Sequence, residues 1–376
     1  MITRILKETI SNHIKDNKAI IVLGARQTGK TTLLKNIASG LTDVLWLNAD
    51  EPDIQALFEN ATSTRLKAYF ANYSYIFIDE AQRIKDIGIK LKLITDQLPG
   101  KKLFVSGSSD FELANKINEP LTGRKWEYHL FPVSFQELSN HFGLMEETRM
   151  LPHRLVYGCY PEVVTNAGKE KEMLKQISDS YLYKDILQWN GLKKPEKLLK
   201  LLQALALQVG NEVSYNELGK LVDLDNGTVE KYIQLLERTY VIFRLTAFSR
   251  SLRKELKKGR KIYFYDNGIR NALIANFNTI ELRTDIGALW ENFIISERLK
   301  FTSYKQIWAN RYFWRTQDQQ EIDYIEERDG KIYAFEFKWN KSSKARFSKS
   351  FLDAYPNNET QIITPENYFD FIYNAN

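Results

Sequence analysis

The sequence predicts an α/β protein in several parts. A parallel sheet with helices on both faces comes first, then a helical stretch, then three helices running into a β-hairpin, then an α/β end region. Short apolar runs alternate with helical periodicity from Ala19 to about Pro132, the pattern of strand–helix units. Three helical segments follow Pro195 and lead into a hairpin, and strictly alternating strands return after Tyr263. At 376 residues the chain is long enough for roughly two to four domains. With 43% hydrophobic and 13% aromatic residues it buries real cores and is not disordered. A single cysteine, Cys159, forms no internal disulfide, and His13, His129, His141 and His153 lack metal-ligand spacing. These features point to a reducing cytoplasm and away from structural zinc. The net charge of +6 matters only where it is clustered. The N-terminal Ile2, Leu6, Ile10 and Ile14 sit at helical spacing with charges between them, unlike a signal peptide or membrane span.

The expected strands of the first part are Ala19 to Gly24, Asp43 to Asn48, Ser74 to Asp79 and Lys102 to Ser106. After the first comes a glycine-bounded loop, Gly24, Ala25, Arg26, Gln27, Thr28, Gly29, Lys30, Thr31 and Thr32, and then an apolar-periodic helix. This is a P-loop in its proper context. Glycines let several backbone N–H groups point at one phosphate, and the helix start adds its dipole to the same site. Lys30 is placed to meet the β- and γ-phosphates of ATP, and Thr31 to offer its hydroxyl to Mg²⁺.

The strand YSYIFIDEAQRI ends in Asp79 and Glu80, where the carboxyl edge of a parallel strand emerges beside the phosphates. Asp79 is expected to hold Mg²⁺ through water, and Glu80 to orient and deprotonate the attacking water. One more strand, Asp43 to Asn48, lies between the P-loop strand and the Asp-Glu strand. The strand KLFVSGSSD ends in Ser106 and Ser108, and either is placed to sit between the γ-phosphate and the attacking water. Arg124, beyond Gly123, either reaches across a subunit boundary to stabilise phosphoryl transfer or pairs with a surface acid.

From Ser134 to about Lys194 the pattern is mostly helical, interrupted by the turn GCYPEVV. PEKLLKLLQALALQVG, SYNELGKLVDL and a segment from about Thr228 are three helices, the second opened by a capping box of Ser214 and Glu217. Three helices and a hairpin make the outline of a winged helix. Its hairpin region carries Arg250, Arg253, Lys254, Lys257, Lys258, Arg260 and Lys261 against one acid, Glu255. Such a cluster suits DNA phosphates, although winged helices also serve as protein interfaces.

The end region carries Glu291 on a helix, Asp323 on an alternating strand, and, after the turn Arg328, Asp329, Gly330, the strand KIYAFEFKW. Period two puts Glu336 and Lys338 on one face, with Tyr333, Phe335, Phe337 and Trp339 on the other. This set resembles the core of the PD-(D/E)xK nuclease superfamily. The resemblance implies that Asp323, Glu336 and Glu291 hold Mg²⁺ and that Lys338 stabilises the attacking water or the phosphorane charge.

Taken together, GARQTGKTTLL, YIFIDEAQRI, LTGRKWEYHLFPVSFQEL, GCYPEVV, KIYFYDNGIRNAL, GALWEN and EIDYIEERDGKIYAFEFKW resemble a widespread bacterial and archaeal family of AAA-type ATPases whose C-terminal domain has no assigned function. The resemblance implies an α/β fold. It consists of a P-loop AAA-type ATPase core with an additional strand (1–133), a helical region (134–194), a winged helix (195–266) and a restriction-endonuclease-like α/β end domain (267–376). Cys159 stands where the family commonly has a second glycine, a departure that bears on the turn and on no proposed catalytic group. The expected function is ATP hydrolysis with Mg²⁺ by a cytoplasmic homo-oligomer acting on duplex or branched DNA, without a membrane. The alternatives are a nucleotide-dependent switch that binds a protein partner, and an ATP-gated, Mg²⁺-dependent nuclease.

Overall fold

The computed structural model describes residues 1–108, 117, 120–181, 194–249, 259–316, 318–340 and 346–373. They divide into two compact units, Met1–Pro132 with Arg238–Tyr240, and Val133–Glu237 with Val241–Asn376. The segments expected as 134–194, 195–266 and 267–376 thus fall almost wholly within the second unit.

In the first unit, strands β1 (Ala19–Leu23), β2 (Val44–Asn48), β3 (Tyr75–Asp79), β4 (Lys102–Gly107) and β5 (Lys125–His129) pair in parallel in the order β2-β3-β4-β1-β5 among the described residues. The strand inserted between β1 and β3 is therefore β4, whereas Asp43 to Asn48 supplies the sheet edge. Burial explains the order: every residue of β1 and β4 is buried, while four of the five in β2 are only half-buried. Phe77 and Phe104 stack at 4.3 Å across β3 and β4. β5, which the pattern did not announce, alternates polar Lys125, Glu127 and His129 with Trp126 and Tyr128, and closes the other side of β1. Before the sheet, Lys102 Nζ donates to Asp16 Oδ1 at 2.7 Å and to Lys18 O at 2.6 Å, which ties the N-terminal segment to the base of β4.

In the second unit, β6 (Glu212–Val213), β7 (Ile242–Ala247), β8 (Arg260–Phe264), β9 (Asn310–Arg315), β10 (Glu321–Arg328), β11 (Lys331–Phe337) and β12 (Asn358–Ile363) form one sheet, ordered β12-β11-β10-β9-β7-β8-β6. Helices Pro195–Leu207, Tyr215–Val222 and Asn226–Arg238 precede the antiparallel pair β7–β8. β7 then pairs in parallel with β9, so the hairpin is continuous with the end-region sheet. The turn between β10 and β11 has Asp329 at φ 52° and Gly330 at φ 73°, the left-handed pair that a two-residue hairpin requires. Helix Ile286–Tyr304 is buried on nearly all sides. Its Asn292 accepts from Phe264 N at 2.7 Å and donates to Phe264 O at 3.0 Å, standing in for a strand partner at the end of β8.

The capping expectations were half right in place. Ser214 Oγ accepts from Glu217 N at 3.4 Å, but the reciprocal box forms at Ser134 and Glu137, with bonds of 3.2 and 2.9 Å. Gly158 has φ 70°, and a Cβ there would meet Asp266 Oδ1 at 2.0 Å. Cys159 beside it keeps an ordinary negative φ and donates its N–H to Asp266 Oδ2 at 2.7 Å, so a side chain is accommodated without backbone strain.

Candidate nucleotide site and acidic cluster

The P-loop connects the buried β1 to helix Lys30–Ala38, whose Leu33, Leu34 and Ile37 anchor it to the core. Gly24 at φ 153° packs so closely that a Cβ would lie 2.2 Å from Leu130 O, and Gly29 at φ 93° opens the helix. Gln27 also has a positive φ, 59°. Inside the loop the 4%-exposed Lys30 donates Nζ to Gly24 O at 2.9 Å and to Ala25 O at 2.7 Å. Thr28 Oγ1 donates to Ala25 O at 2.9 Å. Ala25 is buried, Arg26 and Thr31 are half-buried, and Thr32 is exposed at the start of the helix.

Asp79 ends β3 and Ser106 lies near the end of β4, two adjacent parallel strands, and Ser106 Oγ donates to Asp79 Oδ1. Glu80 N donates to the same Ser106 Oγ at 3.1 Å. Glu80 itself holds φ 54°, a left-handed conformation that costs a non-glycine residue energy and recurs where a side chain is aimed for function. The two serines are thereby told apart. Ser106 is engaged by the Asp-Glu backbone corner, whereas Ser108 Oγ accepts from Gln82 Nε2 at 2.9 Å, and Gln82 also donates to Glu80 Oε2. Gln82 is buried, and its Oε1 has no hydrogen-bond partner among the described residues.

Gln82 and Arg4 were not anticipated. Gln82 lies in the quoted run IDEAQR, two residues after Glu80, the only trace that could have suggested it. Arg4 carries no local signal; its guanidinium donates to Thr28 O and to Phe131 O, both at 2.6 Å, across 24 and 127 residues of chain. Arg124 Nε donates to Asp96 Oδ1 at 2.6 Å, the surface-acid arrangement, with 40% of the Arg124 side chain exposed.

Arg250, Arg253, Lys254, Lys257 and Lys258 lie outside the described residues. Arg260 stacks on Tyr215, with 4.6 Å from guanidinium to ring centroid. Lys261 departs from the expectation of a phosphate-facing surface. It is 2% exposed, and its Nζ donates to Glu291 Oε1 at 3.2 Å and pairs with Glu321.

That pairing belongs to a cluster the structure does assemble. Lys338 Nζ donates to Glu336 Oε2 at 2.7 Å and lies 3.5 Å from Asp323 Oδ2, which also accepts Phe337 N at 2.8 Å. Tyr263 OH donates to Glu291 Oε1 at 2.6 Å. β10 carries one extra residue relative to β9 between Ile322 and Ile325, and this bulge sets the direction of Asp323. Burial, followed by the Lys261 ammonium acting the other way, leaves the Glu291 carboxyl pushed up to about 7. Glu336 is likewise pushed up to about 7, by burial and then by the Asp323 charge. Among the described residues no group of three or more His, Cys, Asp or Glu side chains is placed to hold a metal ion. Nor is any helix among them long and apolar enough to cross a membrane.

Residues 16–139 match a family described as an AAA domain, and residues 148–280 and 286–371 match two domains of unknown function, DUF8612 and DUF4143. An uncharacterized protein of Mycobacterium tuberculosis is 26% identical over 345 residues, which are 89% of this chain and 73% of the relative. One of Haemophilus influenzae is 26% identical over 281 residues, 68% of each chain. Among solved structures, a Walker-type ATPase of Pyrococcus abyssi is similar with a TM-score of 0.51 at 14% identity, over 73% of this chain and 96% of its own. The parallel sheet, the loop and the AAA-domain match together give the first unit the fold of a P-loop ATPase.

Proposed function

We propose that the protein hydrolyses ATP at the P-loop of its first unit and couples this to DNA. The observation that carries the reading is the convergence of Lys30, Asp79, Glu80 and Ser106 at the carboxyl ends of three adjacent parallel strands, β1, β3 and β4. The residues suit Mg²⁺·ATP by their chemistry. Loop N–H groups and the start of helix Lys30–Ala38 receive phosphate oxygens. The Lys30 ammonium, held by two carbonyl oxygens, is placed to exchange them for phosphate oxygens. Thr31 and Asp79 are the hard oxygen donors that would hold Mg²⁺, which when bound neutralises phosphate charge and polarises the γ-phosphorus. Glu80, on its left-handed backbone, takes the proton of the attacking water, and Gln82 and Ser106 hold its side chain and backbone in place.

The DNA partner is supported by the order of three helices and an antiparallel hairpin, the winged-helix outline, with the basic run 250–258 joining β7 to β8. Contact with phosphates through that run gives binding with a steep salt dependence and little sequence preference. The test is replacement of Arg253, Lys254, Lys257 and Lys258 together by Ala. DNA affinity at fixed salt should fall, and the slope of log affinity against log salt should flatten by roughly 0.9 per lost phosphate contact. Unchanged affinity and slope would move the partner elsewhere. Turnover unaffected by Lys30→Ala would remove the nucleotide site itself.

A further inference from the structure

We infer that the acidic cluster of the second unit carries its own cation: the Lys261 ammonium sits between Glu291 and Glu321, the latter two residues before Asp323 on β10, in the place of a divalent metal that would join the helix acid to the strand acids, and so keeps the nuclease-like centre free of metal. This goes beyond the ATPase reading and does not depend on it.

Four elements meet at the cluster. β8 brings Lys261 and Tyr263, helix Ile286–Tyr304 brings Glu291, the bulged β10 brings Glu321 and Asp323, β11 brings Glu336, and the residue just after it brings Lys338. The contacts partition the carboxylates. Glu291 receives Lys261 and the Tyr263 hydroxyl, at 3.2 and 2.6 Å. Glu321 receives Lys261 and, at 3.9 Å, Arg315 Nε. Asp323 receives Phe337 N at 2.8 Å with Lys338 at 3.5 Å, and Glu336 receives Lys338 at 2.7 Å. Two lysines therefore take two carboxylates each, and the more deeply buried, Lys261, stands between the helix acid Glu291 and the strand acid Glu321.

A hard divalent ion of the Mg²⁺ type needs oxygens converging to about 2.0–2.1 Å in near-octahedral array. Here the carboxylates of Glu291 and Glu321 close instead on an ammonium, and no three His, Cys, Asp or Glu side chains among the described residues are placed to hold a metal ion together. A second cation cannot share that place, because charge repulsion between two ions a few ångström apart is severe in a buried setting. The Lys261 ammonium is held in place by its surroundings: it is 2% exposed, its Nζ lies 5.5 Å from the Phe313 ring centroid, and it pairs with both Glu291 and Glu321. The residues that resemble a nuclease metal site thus do not fit a metal as they stand, and the mismatch has one identifiable cause.

The experiment is Mn²⁺ titration of the nucleotide-free full chain, followed by the paramagnetic signal of free Mn²⁺. Wild type is expected to show no binding that Asp323→Asn removes. Lys261→Met should gain one Mn²⁺ per chain, at least tenfold tighter than any wild-type binding and lost again on adding Asp323→Asn. The charge-preserving Lys261→Arg should stay metal-free. Because Lys261→Met leaves Glu291 and Glu321 without their partner, Lys261→Gln, which still donates a hydrogen bond, serves where the Met variant does not fold, and should gain the same site. Asp323-dependent Mn²⁺ binding by wild type would overturn the inference, as would a folded neutral variant that gains none.

Discussion

Gln82 donates its carboxamide Nε2 to Ser108 Oγ at 2.9 Å, bridging the turn after β3 and the end of β4. The same nitrogen donates to Glu80 Oε2, so one buried amide holds the proposed general base against the neighbouring strand. Its Oε1 has no donor among the described residues, a buried acceptor suited to the proton of an ordered water. Gln82→Ala is expected to lower kcat about tenfold or more, the scale of misplacing a general base, while nucleotide affinity changes less than about twofold. Equal losses in affinity and turnover would make Gln82 part of the binding site instead; an unchanged kcat would leave it structural.

Arg298 and Glu326 form a buried bidentate pair at 2.7 and 2.8 Å, with Phe371 O accepting from the Arg298 guanidinium and Tyr324 OH donating to Glu326. Burial works against the Glu326 carboxylate, but the Arg298 bonds outweigh it and hold its pKa below the ordinary value. Arg298→Met strands a buried charge and is expected to cost about 3–5 kcal/mol. Adding Glu326→Leu should recover much of the loss. Denaturant titration of both variants checks this, and a double variant no more stable than the single one contradicts it.

Asp16 joins the N-terminal segment to β4 and β5, accepting from Lys102 Nζ, from Lys18 N at 3.0 Å and from Trp126 Nε1. Burial raises its pKa, yet these bonds win and leave it at about 2 against an ordinary 3.8. A depressed carboxyl contributes stability above its unfolded value and loses it as pH falls through the folded one. The stability gap between wild type and Asp16→Asn should therefore be constant above about pH 4 and shrink between about 4 and 2. Thermal midpoints across that range read the gap directly, and one that does not change with pH would show that Asp16 is not linked in this way.

What could be read from the chain was local. The loop from Gly24 to Thr31, the apolar run into Asp79 and the Asp329-Gly330 hairpin each depend on neighbours within a few residues, so their signals survive in sequence. The sheet order was not legible, because placing β4 rather than β2 beside β1 is decided by how fully each strand is buried. Nor was β5, whose alternating polar residues find partners in one another, Lys125 with Glu127 and Glu127 with His129. Lys261 misled for the same reason. In sequence it closes a basic run, but β8 turns it inward onto acids 30 and 60 residues further along the chain. Arg4, which steadies Thr28 from outside the motif, could be found only in three dimensions.

The measurement that bears most directly on the central claim is the steady-state ATPase rate of the full chain, alone and with single-stranded, duplex and junction DNA at fixed salt, in wild type and in Glu80→Gln. Turnover in wild type, stimulated by one DNA form and lost in Glu80→Gln while nucleotide still binds, is the predicted result. Turnover that survives Glu80→Gln would contradict the assignment of the base. No stimulation by any DNA form, with nucleotide tightly retained, would contradict the DNA partner and point to a nucleotide-dependent switch acting on a protein.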